Sequence, residues 1–371
     1  MLSFDGIHGV MSRQVNVNSD ISKSETLPAW FYRDGEVFES LKELVFYQSW
    51  QWVGDSSDVR LEGQVYPFVL MDGFMTEPML LSRDQQGELH CLSNVCTHRA
   101  NLVVTNPGKT RKLVCPYHGR KFDLKGRFES MPEFREARDF PRTCDDLHAF
   151  NLESFGPLLF AQMGGNINFY GILTDIIERV GFLPLDQLIY RPTLSKEYLV
   201  NAHWALYCDN YLEGFHIPFV HPDLNQALDY KNYTDIIGDH YTLQVGYADE
   251  SVDCFDLPQD HIDHGKNVAA YYYWVFPNMM LNFYPWGLSL NVVRPLSLNQ
   301  TKVIFRTYVL DESKLNSGAG ALLDKVERED ETVVESVHKG LQSRYYPGGR
   351  FSPTREKGVH YFHQLLAQHV G

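Results

Sequence analysis

The chain has 371 residues, of which 44% are hydrophobic and 22% charged, and its formal net charge is −14 at pH 7 with His neutral. This is about twice the length of a typical single domain, so we expect two domains. The sequence lacks both a run of about 18 apolar residues that could span a bilayer and a Lys/Arg block that could follow a phosphate backbone, which argues against membrane and nucleic-acid partners. The start lacks the pattern of a secretory signal and the six cysteines are dispersed, so we expect reduced thiols and a cytoplasmic protein.

Apolar and turn residues predict three successive parts of the chain. The N-terminal segment, residues 1–45, leads into a helix predicted from Glu36 to Tyr47. Residues 46–163 alternate short strand-like runs with turn residues, which predicts a small antiparallel β domain. Residues 164–371 start at the Gly/Asn-rich stretch GGNINFYG and predict helices near 172–181, 204–216 and 320–341, a strand near 196–203, and several strands between 240 and 310. The predicted fold class is therefore α+β, with an all-β domain first.

Two Cys/His pairs stand close together in VCTHRANLVVTNPGKTRKLVCPYHGRKF, residues 95–122. They are Cys96 with His98 and Cys115 with His118. Two thiolates and two imidazoles suit either zinc or iron. Zinc fingers usually give a Cys pair and then a His pair on a helix, whereas here Cys and His are interleaved in two matching turn loops. A Rieske [2Fe–2S] centre needs that arrangement, because two Cys hold one iron and two His hold the other; two zinc-binding knuckles are the alternative.

A second candidate metal site lies in HWALYCDNYLEGFHIPFVHP, residues 203–222. Glu213 and His216 are three residues apart and are predicted to share one helix face, and Pro218 is predicted to end that helix before His221. Two histidines with a carboxylate form the facial triad of non-haem Fe(II) enzymes. Asp209 and Asn210 precede Glu213, and both are candidates to contact the metal ligands without binding the metal themselves.

The carboxylate of this triad is predicted on a late helix, in LDKVEREDETVVESVHKGL, residues 323–341. Asp330 falls on an apolar stripe, whereas the neighbouring glutamates fall outside it and are predicted to form a solvated face. The stripe is Val326, Val333, Val334, Val337 and Leu341, and the glutamates are Glu327, Glu329, Glu331 and Glu335. An inward-facing carboxylate is costly unless it binds a metal or a partner, so Asp330 is the predicted ligand and a buried salt bridge is the alternative.

The Rieske-type motifs, followed by EGFHIPFVH and an Asp on a late helix, resemble the α (terminal oxygenase) subunit of Rieske non-haem iron oxygenases. The resemblance runs from about Trp30 to the C-terminal GVHYFHQLL. It implies one [2Fe–2S] cluster, and a helix-grip (START/Bet v1-like) catalytic domain with mononuclear Fe(II) on His216, His221 and Asp330. It also implies a homotrimer in which Glu213 bridges His118 of one subunit and His216 of its neighbour.

Such a subunit is an EC 1.14-type mono- or dioxygenase that takes electrons from a separate reductase or ferredoxin. The chain itself carries neither a Gly-rich dinucleotide fingerprint nor a flavin motif, so NAD(P)H would act through the reductase. DNYLEGFHIPFVH and the C-terminal region resemble the choline-monooxygenase-like branch. Aromatic residues within 269–296 would suit a quaternary ammonium or an arene, although most are expected to pack the sheet.

Hydroxylation, dihydroxylation and oxidative demethylation all remain open for such an oxygenase. The alternative from another class is a Rieske electron-transfer or redox-sensing protein whose second domain binds a ligand or partner without iron. The two classes differ in metal content, since the oxygenase requires a third iron per chain.

Overall fold

A computed structural model of the chain describes residues 15–227, 233–248, 253–315, 317–321 and 323–370. The chain divides into two compact units, one spanning Trp50–Gly165 and the other combining residues up to Ser49 with those from Asn166 onward. Both contain antiparallel sheet, and the second adds the long helices, so the predicted α+β class is confirmed. Among the helices of the described residues, none combines the length and the apolar character needed to cross a membrane.

The unit Trp50–Gly165 is built from short strands. In chain order they are β1 (Trp50–Asp55), β2 (Gln64–Leu70), β3 (Glu77–Arg83), β4 (Leu89–Ser93), β5 (Gly108–Lys109), β6 (Leu113–Val114), β7 (Lys121–Phe122), β8 (Phe128–Ser130), β9 (Ala149–Phe155) and β10 (Leu158–Gln162). Seven form one sheet in the order β1-β10-β9-β4-β3-β2-β5, and β6-β7-β8 form a second, smaller sheet. A core that includes Leu80, Leu92 and Phe122 also takes in Cys96 and Cys115, so the loops that carry these cysteines are anchored from below.

The other unit contains the helices and the larger sheet. Its helices are α1 (Gly35–Leu41), continued by a π-type turn (Lys42–Phe46), α2 (Phe169–Val180), α3 (Trp204–Tyr211), α4 (Ile217–Val220), α5 (Pro222–Ala227), α6 (Leu323–Gly340) and α7 (Lys357–Val370). Its strands are β11 (Ile189–Tyr190), β12 (Lys196–Val200), β13 (Thr234–Gly238), β14 (Tyr241–Tyr247), β15 (Val268–Val275), β16 (Met279–Tyr284), β17 (Gly287–Ser297) and β18 (Gln300–Val309).

The eight strands form one antiparallel sheet in the order β11-β18-β17-β16-β15-β14-β13, with β12 also paired to β18. Every residue of β16 is buried, and β15 is buried except at Tyr272. A strand that is buried at successive residues is covered on both faces, because side chains alternate across the sheet. The centre of this sheet therefore forms the rigid floor of the larger unit.

The helix predicted near 204–216 is shorter in the structure, which corrects the predicted positions of Glu213 and His216. α3 ends at Tyr211, and both residues lie in the turn before α4. The Glu213 carboxylate accepts the backbone N–H groups of Phe215 and His216, so it stabilises the turn in competition with a continuing helix. Pro218 does not end a helix but lies in the first turn of α4, where proline is well tolerated.

Glycine is required in this turn. A Cβ on Gly214 would lie 2.9 Å from the Tyr233 ring, closer than real Cβ contacts, so a side chain here would displace the ring or the turn.

Candidate metal centres

The first candidate centre lies on two loops of the Trp50–Gly165 unit. The loop between β4 and β5 carries Cys96 and His98, and the loop between β6 and β7 carries Cys115 and His118. The imidazole centroids of the two histidines are 4.8 Å apart and the rings are nearly perpendicular. Both cysteines are buried, whereas His118 is exposed at the tip of its loop. The two pairs are thus brought together, with thiols inside and imidazoles outside.

The two loops have the same pattern of backbone hydrogen bonds. This common pattern explains how two stretches of different sequence present their Cys and His side chains in the same way. In each loop the N–H of the cysteine donates to the carbonyl five residues later, and the carbonyl of the cysteine accepts from the N–H four residues later. The residue four positions later has a positive φ in both loops. These partners are Asn101 and Ala100 (φ 53°) for Cys96, and Arg120 and Gly119 (φ 70°) for Cys115.

The directions in which the pKa values of Cys96 and His98 are shifted suit a bound metal cluster. Burial and the neighbouring Cys115 thiol raise the pKa of Cys96, so two thiolates side by side would need a strong positive charge to hold them. Burial, His118 and the nearby Arg99 and Arg120 lower the pKa of His98, which favours the neutral imidazole that ligates metals. The donor set therefore fits an iron–sulfur cluster.

Arg120 connects the two loops from beneath. Its guanidinium is buried and donates from Nη2 to the backbone carbonyl of Asp145 at 3.0 Å and to its carboxylate at 2.8 Å. The same carbonyl accepts from the Thr97 hydroxyl of the first loop at 2.7 Å. No local sequence pattern predicts this role of Arg120, because its partner Asp145 lies 25 residues further along the chain.

The second candidate centre brings together His216, His221 and Asp330. Each offers one ligand atom, and the three atoms lie within 4.8 Å of one another. The Nε2 atoms of His221 and His216 are 3.0 and 3.5 Å from Oδ1 of Asp330. The histidines come from the turns on either side of α4, and Asp330 from α6, so three separate segments converge on one point. Two imidazoles and one carboxylate fit a mononuclear iron.

Neighbouring carboxylates hold both histidines. The Nδ1 atom of His216 is 2.7 Å from Oε1 of Glu213, and Nδ1 of His221 is 2.7 Å from Oε2 of Glu329. A proton on Nδ1 of either histidine would face a carboxylate, which leaves the Nε2 lone pair directed at the convergence point. Asn210 donates from Nδ2 to Oδ1 of Asp330 at 2.6 Å, so this residue does contact a candidate ligand.

The hydrogen-bond partners of Asp209 lie outside the set of candidate ligands. Its carboxylate accepts from the Tyr32 hydroxyl at 3.1 Å and lies 2.9 Å from Nε2 of His363 on α7. The candidate bridge Glu213 and its expected partner His118 belong to different compact units.

The predicted solvated face of α6 is wrong at two glutamates. Glu327 is buried and accepts from the Tyr207 hydroxyl, and Glu329 is bonded to His221. Conversely, Val337 of the predicted apolar stripe is 45% exposed. The buried positions of the helix are Glu327, Val334 and His338, so the face turned to the protein is rotated away from the stripe inferred from the valines. No local pattern indicates that these acids have partners, because the partners come from distant segments.

A cavity of about 110 Å³ adjoins the second centre, and we name it the tyrosine-lined cavity. His216, His221 and Asp330 form part of its wall. Five tyrosines also line it, namely Tyr207, Tyr211, Tyr233, Tyr272 and Tyr284. Only the last two belong to the aromatic stretch 269–296, and six other aromatics of that stretch are buried in the fold. The cavity can hold a small organic molecule against the candidate metal ligands.

The donor atoms of the two candidate centres fit an iron-dependent redox enzyme. Comparisons with known proteins indicate the same class. The Rieske [2Fe-2S] domain family matches residues 49–141, and the ring hydroxylating alpha subunit (catalytic domain) family matches residues 188–371. The chain combines both domains of the Rieske non-haem iron oxygenases and is homologous to choline and carnitine monooxygenase oxygenase subunits. These domains imply one [2Fe–2S] cluster, one mononuclear iron, an electron donor and a small-molecule substrate.

Two relatives indicate how far the similarity extends. The chloroplastic choline monooxygenase of Beta vulgaris is 28% identical over 356 residues, which cover 92% of this chain and 76% of that protein. The carnitine monooxygenase oxygenase subunit of Escherichia coli strain K12 is 29% identical over 361 residues, which cover 92% of this chain and 93% of that protein. The similarity therefore spans both domains.

Solved structures share the fold. The structure of a quaternary ammonium Rieske monooxygenase studied for carnitine oxidation has a TM-score of 0.75 and 23% identity, and the match covers 96% of this chain and 100% of that one. Naphthalene 1,2-dioxygenase from Rhodococcus sp. has a TM-score of 0.69 and 17% identity, with 93% and 94% covered. The arrangement of a Rieske domain and a catalytic domain is thus common to oxygenases with different substrates.

Proposed function

We propose that this chain oxidises a methylated or quaternary ammonium compound at an iron held by His216, His221 and Asp330. The observation that carries the proposal is that these three ligand atoms converge within 4.8 Å in the wall of the tyrosine-lined cavity. Tyrosine faces attract organic cations by cation–π interaction. The names of two relatives, choline monooxygenase and carnitine monooxygenase, point to the same class of substrate.

Two imidazoles and one carboxylate leave several positions of the iron open, as an oxygenase requires. When bound, the iron and the cluster supply the electrons that activate O₂, so that one oxygen atom enters a substrate C–H bond and the other leaves as water, with two electrons and two protons consumed. The protein supplies orientation. Glu213 and Glu329 hold the Nδ1 protons of the two histidines, and Asn210 holds the Asp330 carboxylate.

The cluster is assigned to Cys96 and Cys115 on one iron and His98 and His118 on the other. The buried thiols and the outward imidazoles support this division. His118 stacks on Tyr117, with ring centroids 3.7 Å apart, at an exposed tip from which an electron can leave. We assign residues 46–163 to the Rieske domain, 164–371 to the catalytic domain and 1–45 to an N-terminal segment.

Glu213 is proposed to bridge His118 of one subunit and His216 of its neighbour in a homotrimer. Its Oε1 is bonded to His216, and Oε2 accepts two backbone N–H groups, so the carboxylate is fixed in place. Apolar rings are exposed near both ends of the proposed bridge, and a subunit interface would cover them. They are Tyr117 at 56%, Phe215 at 41% and Phe219 at 78% exposure.

Electrons would come from a separate NAD(P)H-dependent reductase or ferredoxin. All six cysteines are free of disulfides, which suits a reducing compartment, and we propose the cytoplasm.

Metal analysis combined with O₂ uptake tests the proposed function. We expect three iron atoms per chain and O₂ consumption that depends on both a surrogate reductase and a quaternary or methylated amine. Two iron atoms per chain and no substrate-dependent uptake would instead support an electron-transfer or redox-sensing protein.

A further inference from the structure

Glu327 is a buried carboxylate in the wall of the tyrosine-lined cavity. It is 3% exposed, and its Oε2 accepts from the Tyr207 hydroxyl at 2.6 Å. Its Oε1 is also buried and has no hydrogen-bond partner among the described residues. Burial raises the pKa of this carboxyl to about 8, so its charged form is unfavourable here unless a cation lies beside it. A buried carboxyl group with one oxygen unpaired in the cavity wall indicates a ligand that pairs with that oxygen.

The other polar groups of the cavity favour the same kind of ligand. Four donors are already used within the protein, and the Oε1 of Gln244 is a second buried acceptor without a described partner. Among the described residues that line the cavity, none is Lys or Arg. The donors in use are Tyr207 to Glu327, Tyr211 to Asn282, Gln244 Nε2 to the Tyr211 carbonyl, and Asn210 to Asp330. The described wall thus carries carboxylates and no Lys or Arg, so it favours a positively charged group and offers a substrate carboxylate no Lys or Arg partner.

We infer that Glu327 is the counter-ion of the positively charged nitrogen of the substrate, and that the substrate carries no carboxylate of its own. The inference rests on the proposed function and adds the charge class of the substrate. The ligand class is a quaternary or protonated amine whose other polar groups are neutral, such as an amino alcohol. Zwitterionic amino acids and betaines should bind less tightly, because no Lys or Arg of the described wall would pair with their carboxylate.

The position of Glu327 on α6 places such a cation near the metal ligands. Glu327 precedes Asp330 by three residues, so the two side chains are neighbours on one helix face, with Cβ atoms about 5–6 Å apart. A nitrogen held at Glu327 would direct its carbon substituents toward the point where the three candidate ligands converge. Tyrosine faces would enclose the rest of the cation.

Equilibrium binding to the iron-loaded holoenzyme without O₂ tests this inference independently of turnover. The probes are choline, its neutral isostere 3,3-dimethylbutan-1-ol, in which carbon replaces the charged nitrogen, and the zwitterion glycine betaine. We expect the wild type to prefer choline to both others. Glu327→Gln should weaken choline binding about 30-fold or more and leave the affinity for the isostere within about threefold.

Glu331→Gln is the matched control, because it removes the same charge one turn further along α6, where Glu331 pairs with Arg328 and does not line the cavity. It should preserve the preference for choline.

A wild type that binds choline no better than the isostere overturns the inference, as does a Glu327→Gln variant that keeps the wild-type ratio of the two affinities. If the Gln variant binds neither ligand, Glu327→Asp decides: a retained preference supports the inference and a lost one overturns it. Absence of substrate-dependent O₂ uptake would count against the proposed function alone.

Discussion

The Nδ1 atom of His221 lies 2.7 Å from Oε2 of Glu329, on the same helix that presents Asp330 one residue later. One helix thus supplies both a candidate metal ligand and the carboxylate that orients another ligand. Glu329 is 27% exposed at its side chain, whereas His221 is 1% exposed, so the carboxylate covers the imidazole on its solvent side. A rotation of α6 would disturb both contacts together.

Replacing Glu329 by Gln should weaken iron binding while leaving the fold intact. An amide cannot stabilise the His221 Nδ1 proton as a carboxylate does, and loss of such a partner typically costs about 10–100-fold in metal affinity. Iron titration of the chelated protein, with the cluster monitored separately by its visible absorption, measures the effect. Glu331→Gln serves as the control, since its partner is Arg328 and not a candidate ligand. Equal iron affinity in the two variants would contradict the proposed role of Glu329.

Glu213→Gln should separate metal binding from electron transfer. At saturating iron we expect three iron atoms per chain to remain and the rate of coupled product formation to fall about 100-fold, because the amide removes the charged link at His216 Nδ1. Single-turnover product yield, measured after reduction of the cluster, distinguishes this from loss of substrate binding. Glu213→Asp retains a carboxylate one methylene shorter and should recover part of the rate. Wild-type product formation by Glu213→Gln would remove Glu213 from the electron path.

Sequence spacing predicts those candidate ligands whose chemistry is local. The Cys/His pairs of 96–118 and the histidines at 216 and 221 follow from motifs a few residues long, and Asp330 follows from its position among valines. The partners of these residues could not be found in this way. Glu327 and Glu329 look like solvent-facing acids in the sequence, and only Tyr207 and His221, more than 100 residues away, make them inward-facing.

The same limit applies to backbone detail at the second centre. A helix through Glu213 and His216 satisfied the spacing rule, but the Glu213 side chain bonds two backbone N–H groups and stabilises a turn instead. The close approach of the Tyr233 ring to Gly214 is a tertiary contact that no local pattern encodes.

Arg120→Met should destabilise the two ligand loops of the first centre. It leaves the buried Asp145 carboxylate with only the Arg142 guanidinium, which is exposed and 3.4 Å away, and breaking a buried pair typically costs up to about 3–5 kcal/mol. The midpoint of urea-induced loss of cluster absorption measures the change. Adding Asp145→Asn to Arg120→Met removes the buried charge that has lost its main partner, so the double variant should be more stable than the single one. A single variant as stable as the wild type would show that the pair does not support the loops.

His203 should make the free energy of unfolding depend on pH on the acid side. Burial lowers the pKa of this imidazole to about 3, whereas the usual value is 6.5. The unfolded chain therefore takes up a proton at His203 before the folded one does, and the stabilising contribution, complete above pH 6.5, is lost as the pH falls toward 3 at about 1.4 kcal/mol per pH unit.

The structure gives a second reason why protonation of His203 is unfavourable. Its Nδ1 accepts the Ala205 N–H at the start of α3, which requires the unprotonated nitrogen, and aromatic rings of Phe31, Tyr32 and Phe38 pack edge-on around it. His203→Asn can keep the N-terminal cap without the titration, so its unfolding free energy should vary less steeply between pH 6.5 and 4.5. Urea unfolding followed by circular dichroism at several pH values compares the slopes, with His264→Asn, at an exposed imidazole, as the control. Parallel slopes for wild type and His203→Asn would show that His203 does not carry this acid sensitivity.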